Sequence, residues 1–177
     1  MESRTLPNIL ITGTPGTGKS TLADAVSREF DGVLNYIDLG KLVKAKELHD
    51  GYDAEFDTYL LNEDKVCDEL EDTMQKGGNI LEAHSCDYFP ERWFDLVVVL
   101  RADNTVLYDR LAARNYSQKK IGENVEAEIM QVVLDEVRGS YKSEITVVLQ
   151  SDTIDQMVSN SQRVIAWVRQ WIENNRH

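Results

Sequence analysis

Short apolar runs alternate with amphipathic stretches along the whole chain. Apolar runs rich in β-branched residues predict five buried strands, at residues 8–12, 33–37, 79–83, 95–100 and 144–149. Apolar residues at three- and four-residue steps predict helices between them, over residues 20–30, 38–48, 62–76, 103–114, 123–142 and 153–175. Residues 49–61, rich in Asp, Gly and Tyr, predict an irregular segment. This alternation predicts an α/β fold with a parallel sheet covered by helices on both faces.

The composition indicates one globular domain. The 177 residues suffice for one hydrophobic core, and a hydrophobic share of 42% with a charged share of 28% is typical of globular proteins. No apolar run approaches the ~20 residues of a membrane span, and the first residues lack signal and transit patterns. Cys67 and Cys86 have neither metal-ligand spacing nor a disulfide framework, so free thiols are expected. We therefore expect residues 1–177 to form a single domain in the cytosol or the nucleus.

The net charge of −12, from 19 basic and 31 acidic residues, disfavours general binding to nucleic acids. One segment differs, because residues 101–120 are mostly basic among their charged positions. The basic residues there are Arg101, Arg110, Arg114, Lys119 and Lys120. In a protein that holds phosphates, such a segment predicts a second phosphate clamp, whereas elsewhere it would equally indicate a solvated helix face.

A glycine-rich sequence follows the first predicted strand directly. Residues 13–20, called the P-loop below, read Gly-Thr-Pro-Gly-Thr-Gly-Lys-Ser and match G-x-x-x-x-G-K-[ST] between a strand and a helix. The glycines allow successive backbone N–H groups to point at one phosphate, as does the helix N-terminus. Lys19, expected to be solvated without nucleotide, supplies charge for the β- and γ-phosphates, and the Ser20 hydroxyl can bind Mg²⁺. An ordinary glycine turn is the alternative, but the full pattern favours a nucleoside triphosphate site.

The third predicted strand ends in two polar residues. A P-loop enzyme needs an acidic residue at the tip of a neighbouring strand to hold the water of a bound Mg²⁺, and Glu82 is the acid at such a place. A carboxylate at a strand end is otherwise often solvated surface, but the Mg²⁺ role of Ser20 requires a partner. His84 shares the direction of Glu82 if the strand extends that far. Its imidazole would then position or activate a water, the alternative being a purely structural role.

The sequence lacks the motifs of a GTPase. No Asn-Lys-x-Asp is present to recognise guanine, and no Asp-x-x-Gly follows the third predicted strand to sense a γ-phosphate. Kinases and ATPases therefore remain among the small P-loop proteins.

Four segments of the chain form a distinctive set. They are Gly-Thr-Pro-Gly-Thr-Gly-Lys-Ser-Thr (13–21), Asp-Gly-Tyr-Asp (50–53), Ala-His-Ser-Cys-Asp-Tyr-Phe-Pro-Glu-Arg-Trp-Phe (83–94) and Val-Leu-Tyr-Asp-Arg-Leu-Ala-Ala-Arg-Asn-Tyr (106–116). With these segments the chain resembles the adenylate kinase isoenzyme 6 family over nearly its whole length. The resemblance implies a P-loop NTPase fold of the nucleoside monophosphate kinase type, with a five-stranded parallel sheet in the order 2-3-1-4-5. It also implies an AMP-binding segment at 38–61 and a short lid at 113–123.

The resemblance further implies roles for individual residues. ATP would be bound by Arg114 and by P-loop residues and their neighbour, namely Gly13, Gly16, Gly18, Lys19, Ser20 and Thr21. The catalytic residues would be Lys19, His84, Arg110 and Arg114, with the two arginines stabilising the transferring phosphoryl group. Mg²⁺ would lie at Ser20 and Glu82, partly through water. AMP would be bound by Asp38, Gly40 and Lys44.

The chain departs from the family pattern at two positions. Glu82 stands where other members can carry Asp, and the longer side chain should still serve through water. Lys44 stands where the family has Arg, and a lysine lacks the bidentate grip on phosphate. AMP binding is therefore expected to be weaker and ATP hydrolysis to be relatively more important.

Two functions follow from the resemblance, because members of the family are coilin-interacting nuclear ATPases linked to small ribosomal subunit maturation. In the first, the protein is an adenylate kinase that converts ATP and AMP to two ADP with Mg²⁺, and is also an ATPase. In the second, it is an ATP-driven assembly factor for which AMP phosphorylation is incidental. The net charge suits a basic small-subunit ribosomal protein as partner, and His84 is a residue that a simple phosphotransferase would not need. We expect a monomer, in the nucleus and the cytoplasm.

Overall fold

The computed structural model describes residues 3–176, and over these residues the chain forms seven strands and seven α-helices. The strands are β1 (Asn8–Thr12), β2 (Asn35–Asp38), β3 (His49–Asp53), β4 (Thr58–Leu61), β5 (Asn79–Glu82), β6 (Leu96–Arg101) and β7 (Thr146–Gln150). The helices are α1 (Lys19–Glu29), α2 (Leu39–Ala45), α3 (Glu63–Lys76), α4 (Asn104–Ala113), α5 (Gln118–Ile129), α6 (Val132–Ser140) and α7 (Ile154–Asn174). Short 3₁₀ turns lie at Glu91–Trp93 and Ser143–Ile145.

Five of the strands form one parallel sheet in the order β2-β5-β1-β6-β7. Counted within this sheet alone, the order is 2-3-1-4-5, so the predicted fold class and strand order are confirmed. β1 lies at the centre and is buried along its whole length, as expected for a strand paired on both sides and covered on both faces. The P-loop therefore follows the central and fully buried strand of the sheet.

Helices cover both faces of the sheet, because side chains of β1 alternate between two cores. On one face Ile9 and Ile11 pack with Leu22 and Val26 of α1 and with Val168 of α7. On the other face the core is built from α3, α6 and an aromatic group after β5, and it includes Leu10, Val66, Leu70, Met74, Trp93 and Val137. Polar caps fix several helix starts, since the side chains of Asp38, Asn62, Asp103 and Thr153 accept backbone N–H groups.

The predicted irregular segment at 49–61 is instead an antiparallel hairpin of β3 and β4. Its strands are held by ring contacts, with ring centroids 5.4 Å apart for Tyr52 and Tyr59 and 4.4 Å apart for His49 and Tyr59. Tyr59 and Leu61 of β4 also pack against the core, so both cross-strand aromatic pairs and this half-buried face stabilise the hairpin. The prediction of irregular structure here was wrong.

The single long helix predicted over 123–142 is in fact two shorter helices, α5 and α6, so the prediction of one continuous helix was wrong. The break falls at Gln131, which has a left-handed backbone with φ of 59°. α5 begins already at Gln118, inside the predicted lid, because the Ser117 side chain accepts the backbone N–H of Lys120 and caps the helix. The irregular part of the lid is therefore only the short turn around Asn115.

Two sequence expectations about the whole chain can be compared with the described residues. Over 3–176, no helix combines the length and the apolar character that crossing a bilayer requires. Cys67 and Cys86 are both free thiols, as predicted, and burial raises the pKa of Cys86 to about 12. Neither thiol is activated for chemistry.

Candidate active site

The P-loop wraps tightly between β1 and α1. Gly16 and Gly18 have φ values of 92° and 95°, a left-handed conformation that favours glycine, and Gly18 stands at the start of α1. A Cβ at Gly16 would lie 2.8 Å from Leu107 Cδ1 of α4, so no side chain fits there. The loop is closed internally by Thr17, whose backbone N–H and hydroxyl both donate to the Thr14 carbonyl. The backbone N–H groups before α1 are thus held ready for an anion.

Lys19 is buried rather than solvated, with only 7% of its surface exposed, so the expectation of a solvated lysine was wrong. Its ammonium donates to the backbone carbonyls of Gly13, at 2.9 Å, and Thr14, at 3.2 Å. Desolvation lowers the pKa of Lys19 from its ordinary value of 10.5 to about 8, partly opposed by the carboxylate of Glu82. The side chain folds back onto the loop because these carbonyls supply acceptors that the sequence pattern alone does not reveal.

Ser20 and Glu82 meet at the carboxyl end of the sheet. The Ser20 hydroxyl donates to one carboxylate oxygen of Glu82 at 2.6 Å, and the Tyr36 hydroxyl donates to the other. Glu82 is 8% exposed, so it is not a solvated strand end. A hydroxyl and a carboxylate form an oxygen donor pair of the kind Mg²⁺ prefers beside substrate phosphates. The two residues predicted as the Mg²⁺ site therefore lie together and fit the ion.

A metal at this place would depend on the nucleotide. Within residues 3–176, no group of three or more His, Cys, Asp or Glu side chains is placed to hold a metal by itself. Mg²⁺ usually keeps several waters and is bound through one or two carboxylates together with phosphates. Ser20 and Glu82 would accordingly complete the coordination of a metal–nucleotide complex.

An open cleft of about 390 Å³ lies in front of the P-loop. Charged and polar groups from five parts of the chain line it, including Lys19, Glu82, His84, Arg114, Lys120 and Glu136. The cleft thus brings together positive groups of the P-loop, Arg114 and α5 with acidic groups of β5 and α6. This arrangement suits a phosphate chain with an associated cation.

His84 lines the same cleft as Glu82, although β5 ends at Glu82 and strand alternation does not place the histidine. The side chain is exposed at the cleft, yet desolvation by the cleft walls, together with the ammonium groups of Lys19 and Lys120, lowers its pKa to about 4. The imidazole is therefore neutral at pH 7 and keeps one ring nitrogen free to accept a proton.

The two arginines of the predicted catalytic set lie in different places. Arg114, at the end of α4, lines the cleft with Lys19. Arg110 instead donates to the backbone carbonyls of Gly16, at 3.2 Å, and Ser151, at 2.7 Å. Arg110 therefore joins the P-loop to the turn after β7, and it is not among the residues that line the cleft.

The basic segment 101–120 is not one phosphate clamp, which corrects that expectation. Arg101 forms an ion pair with Glu128, which is 3% exposed, and donates to its backbone carbonyl as well. Lys119 pairs with Glu55. Of the five basic residues, Arg114 and Lys120 line the cleft. The spacing in the sequence did not reveal these partners because they come from α5 and from the β3–β4 hairpin.

The segment predicted as a lid touches the β3–β4 hairpin beside the cleft. The ammonium of Lys120 donates to the backbone carbonyl of Asp57 at 3.1 Å and lies 4.2 Å from the centroid of the Tyr116 ring. Lys119 lies 5.0 Å from the centroid of the Phe56 ring. These contacts join the two segments at the cleft.

The residues predicted for AMP lie at α2, away from the cleft lining. Asp38 caps α2 by accepting the backbone N–H of Lys41 at 3.1 Å. Gly40 and Lys44 are exposed on that helix. In the sheet register Asp38 stands beside Glu82, so the start of α2 is nevertheless close to the predicted metal site.

Two site residues were missed by sequence reasoning. Tyr36 is found only once β2 and β5 are known to be neighbours, because strand alternation then brings it to the face of Glu82. Glu136 of α6 lines the cleft, and one of its carboxylate oxygens is buried without a hydrogen-bond partner. Desolvation and the nearby Asp87 raise the pKa of Glu136. Nothing in the sequence around either residue indicates these positions.

Opposite the cleft, an apolar pocket of about 220 Å³ lies between α1 and α7. It reaches the P-loop, and its lining includes Gly18, Thr21, Ser151, Ile154, Met157 and Val158. Thr21, predicted to bind ATP, therefore lies at the edge of this pocket. The two spaces flank the P-loop, and Arg110 supports the turn between them.

Comparison with known proteins gives consistent relatives over almost the whole chain. A family model described as an AAA domain matches residues 9–131. An adenylate kinase isoenzyme 6 homolog from Dictyostelium discoideum is 55% identical over 172 residues, which is 97% of each chain. A homolog from Drosophila melanogaster is 46% identical over 93% of each chain. The homolog FAP7 from Saccharomyces cerevisiae is 44% identical over 99% of this chain and 89% of its own.

Solved structures of small kinases share the fold. Shikimate kinase from Acinetobacter baumannii in complex with shikimate superposes with a TM-score of 0.62 at 14% identity, covering 94% of this chain and 95% of its own. Shikimate kinase from Bacteroides thetaiotaomicron gives a TM-score of 0.58 at 17% identity, covering 92% and 98%. At these identities the similarity shows the P-loop kinase fold and carries nothing about the substrate.

Proposed function

The chain belongs to the adenylate kinase isoenzyme 6 family, and from this membership we propose that it transfers the γ-phosphoryl group of ATP to AMP and also hydrolyses ATP. One observation carries the proposal. Lys19, Glu82, His84 and Arg114 line a single cleft, although they come from distant parts of the chain, and Ser20 is hydrogen-bonded to Glu82. Each of these groups has a role in phosphoryl transfer from a nucleoside triphosphate, to an acceptor or to water.

The phosphoryl transfer step relies on position and charge. The P-loop backbone N–H groups and the Lys19 ammonium would bind the β- and γ-phosphates, which requires Lys19 to exchange the carbonyls of Gly13 and Thr14 for phosphate oxygens. Arg114, on the lid side of the cleft, would stabilise charge on the transferring group. Ser20 and Glu82 would hold Mg²⁺, which would supply positive charge beside the phosphates.

Hydrolysis without AMP would need a positioned water. The neutral imidazole of His84 has a free nitrogen that accepts a hydrogen bond from that water, at the wall of the cleft beside Glu82. When AMP is bound, its own phosphate oxygen is the nucleophile, so the histidine is not needed. This difference supports two activities in one site.

The acceptor would bind against the segment 38–61, which comprises α2 and the β3–β4 hairpin. Lys44 is a single point charge on α2 and makes a weaker phosphate contact than the bidentate arginine of the family pattern. The contact of Lys120 with Asp57 closes this segment against the lid. Weak AMP binding with a closed cleft favours a large share of ATP hydrolysis.

A second function, as an ATP-driven factor in small ribosomal subunit maturation in the nucleus and cytoplasm, is supported by the charge. The net charge of −12 attracts a basic protein, and the lid and hairpin that meet over the cleft are placed to change their contact with the nucleotide. In this proposal a basic small-subunit ribosomal protein binds a monomer of the chain. Phosphorylation of AMP is then incidental.

The products of ATP turnover test the enzymatic proposal. Purified protein is incubated with Mg²⁺ and ATP, with and without AMP, and ADP, AMP and inorganic phosphate are quantified. We expect one ADP and one phosphate per ATP without AMP. When AMP is present, we expect AMP to be consumed and more than one ADP, up to two, to form per ATP, with correspondingly less phosphate. One ADP and one phosphate per ATP in both conditions, with AMP left unconsumed, would exclude AMP as acceptor, and no turnover in either would refute the proposal.

The partner is tested by titrating a basic small-subunit ribosomal protein against nucleotide-free and ATP-loaded protein. The association should weaken as salt rises, because exposed charges more than about 8 Å apart are screened near physiological ionic strength. The two nucleotide states should differ in affinity, and by linkage the partner should change ATP affinity by the same factor. Equal affinities in both states would contradict an ATP-driven assembly role.

A further inference from the structure

We propose that Tyr36 is a positioning residue that holds Glu82 in the orientation required for Mg²⁺, and this inference rests on the proposed function. The Tyr36 hydroxyl donates a hydrogen bond to the carboxylate of Glu82, on the oxygen that Ser20 does not use. Both carboxylate oxygens of the buried Glu82 are thereby occupied by protein hydroxyls. The predicted metal site has Ser20 from α1 and Glu82 from β5, and Tyr36 adds β2 as a third element.

The fold fixes this contact through the sheet. β2 and β5 are parallel neighbours, with Tyr36 beside Ile80 and Asp38 beside Glu82. Strand alternation places Tyr36 and Glu82 on the same face, two residues apart along the sheet. The Tyr36 ring packs against the core formed with α1, so the ring is fixed and its hydroxyl extends to the carboxylate. The hydrogen bond is therefore built by the register rather than by a mobile surface side chain.

The hydroxyls of Ser20 and Tyr36 would have different roles when a metal is bound. With Mg²⁺ present, the Ser20 hydroxyl would turn from Glu82 to become a ligand, which would free one carboxylate oxygen of Glu82. Tyr36 has no such second task and keeps its hydrogen bond throughout. Without it, the carboxylate of Glu82 would be free to turn, and the like charge of the adjacent Asp38 would favour that movement.

The residue is tested with Tyr36→Phe, which keeps the ring in the core and removes only the hydroxyl. Tyr108→Phe on the exposed face of α4 is the matched control, since it removes an exposed hydroxyl bonded to Gln118 at 3.3 Å. Mn²⁺ is titrated into each protein loaded with ADP and followed by electron paramagnetic resonance, and ADP affinity is measured separately in chelator. The Mg²⁺ dependence of ATP turnover is measured in the same proteins.

We expect the Mn²⁺ dissociation constant to rise by the order of ten-fold in Tyr36→Phe and to stay unchanged in Tyr108→Phe. The Mg²⁺ concentration for half-maximal turnover should rise by the same factor, while kcat at saturating Mg²⁺ and ADP affinity in chelator stay close to wild type. In a Glu82→Gln background the Tyr36→Phe change should add nothing, because the two residues act through one carboxylate.

Two results overturn the inference, and they are distinguishable. If wild-type protein binds Mn²⁺ with ADP and Tyr36→Phe binds it equally well, Tyr36 does not position Glu82 and the proposed function stands. If the wild-type protein binds no Mn²⁺ with ADP, the metal site and the proposed function fall together with the inference. A cooperative melting transition in both variants establishes that they are folded.

Discussion

The Ser20 hydroxyl donates a 2.6 Å hydrogen bond to the carboxylate of Glu82 across 62 positions of sequence. The bond joins the first turn of α1 to the end of β5, at the carboxyl end of the sheet, where the cleft opens. Lys19, next to Ser20, gains its largest favourable charge interaction from the same carboxylate. The P-loop and the acidic strand end are therefore one electrostatic unit before any nucleotide binds.

Replacing Lys19 by methionine should abolish turnover and stabilise the nucleotide-free fold. Loss of the ammonium removes a preorganised charge from the phosphoryl group, which typically costs ~10²-fold or more in rate. The lowered pKa of the buried Lys19 corresponds to about 3 kcal/mol at 1.36 kcal/mol per unit, part of which the hydrogen bonds to Gly13 and Thr14 offset. We expect a net gain of the order of 1 kcal/mol in unfolding free energy, measured by urea denaturation.

Lys65→Met, on the exposed surface of α3, is the control for the change in side chain. It should leave both turnover and stability near the wild-type values. A large loss of stability in Lys19→Met would show that the carbonyl contacts of Lys19, and not its desolvation, dominate in the folded protein.

The pKa of Lys19 predicts how ATP binding and stability depend on pH. With a pKa of about 8 in the free protein, the ammonium is lost as pH rises through 8, so the KM for ATP should increase above that pH. Since the folded-state pKa is below the unfolded value of 10.5, the unfolded state binds more protons in between. The contribution of Lys19 to stability should therefore rise with pH between about 8 and 10.5.

Lys19→Met gives the reference for that measurement. The difference in unfolding free energy between the wild type and the variant is followed from pH 7 to pH 10. A difference that is constant over this range would show that the pKa of Lys19 is not lowered.

His84→Gly should reduce ATP hydrolysis without AMP more than ADP formation from ATP and AMP. The reason is that hydrolysis requires a positioned water, whereas AMP brings its own nucleophile. Both rates are measured on one preparation, with Ser85→Gly as the neighbouring control. Equal losses in the two assays would show that His84 has no special role in hydrolysis and supports the site in both reactions.

The protonation of His84 can be followed separately by NMR. Its pKa should lie well below the usual 6.5, near 4, because of desolvation and of the charges of Lys19 and Lys120. Removing one of these charges in Lys120→Met should raise the pKa towards the usual value. A wild-type pKa near 6.5 would contradict a neutral imidazole enforced by the cleft.

Lys119→Met and Lys120→Met should differ, although the residues are adjacent. Lys120 lines the cleft and donates to the Asp57 carbonyl, so its loss should lower kcat/KM for ATP and AMP by the order of ten-fold. Lys119 forms an exposed pair with Glu55, and such pairs contribute at most about 1 kcal/mol. Each variant is the control for the other in a steady-state assay. Equal losses of kcat/KM would show that the position of Lys120 at the cleft gives it no separate role from Lys119.

Much of the fold could be predicted because its signals are local. The five sheet strands are short apolar runs, the P-loop is a contiguous pattern, and helix caps such as Asp38 and Asp103 lie beside the helices they start. The hairpin of β3 and β4 was missed because its stability comes from rings that meet across the turn, such as Tyr52 and Tyr59. The break at Gln131 was missed because no glycine or proline marks it.

The site was predicted less completely because its chemistry depends on neighbours distant in sequence. The placement of Ser20 beside Glu82 followed from the P-loop pattern, but the hydrogen bond of Tyr36 requires the sheet order. Lys19 was expected in solvent because the motif does not show that carbonyls of the loop accept hydrogen bonds from its ammonium. The different positions of Arg110 and Arg114 depend on the turn after β7, which sequence spacing does not locate.

The most direct test of the shared cleft is a crystal structure with Mg²⁺ and diadenosine pentaphosphate, which joins both nucleotides in one molecule. We expect its phosphate chain between Lys19 and Arg114, the metal in contact with the Ser20 hydroxyl, and one adenosine against the segment 38–61. A phosphate chain that avoids Lys19, or two adenosines that both lie away from 38–61, would contradict phosphoryl transfer to AMP in this cleft.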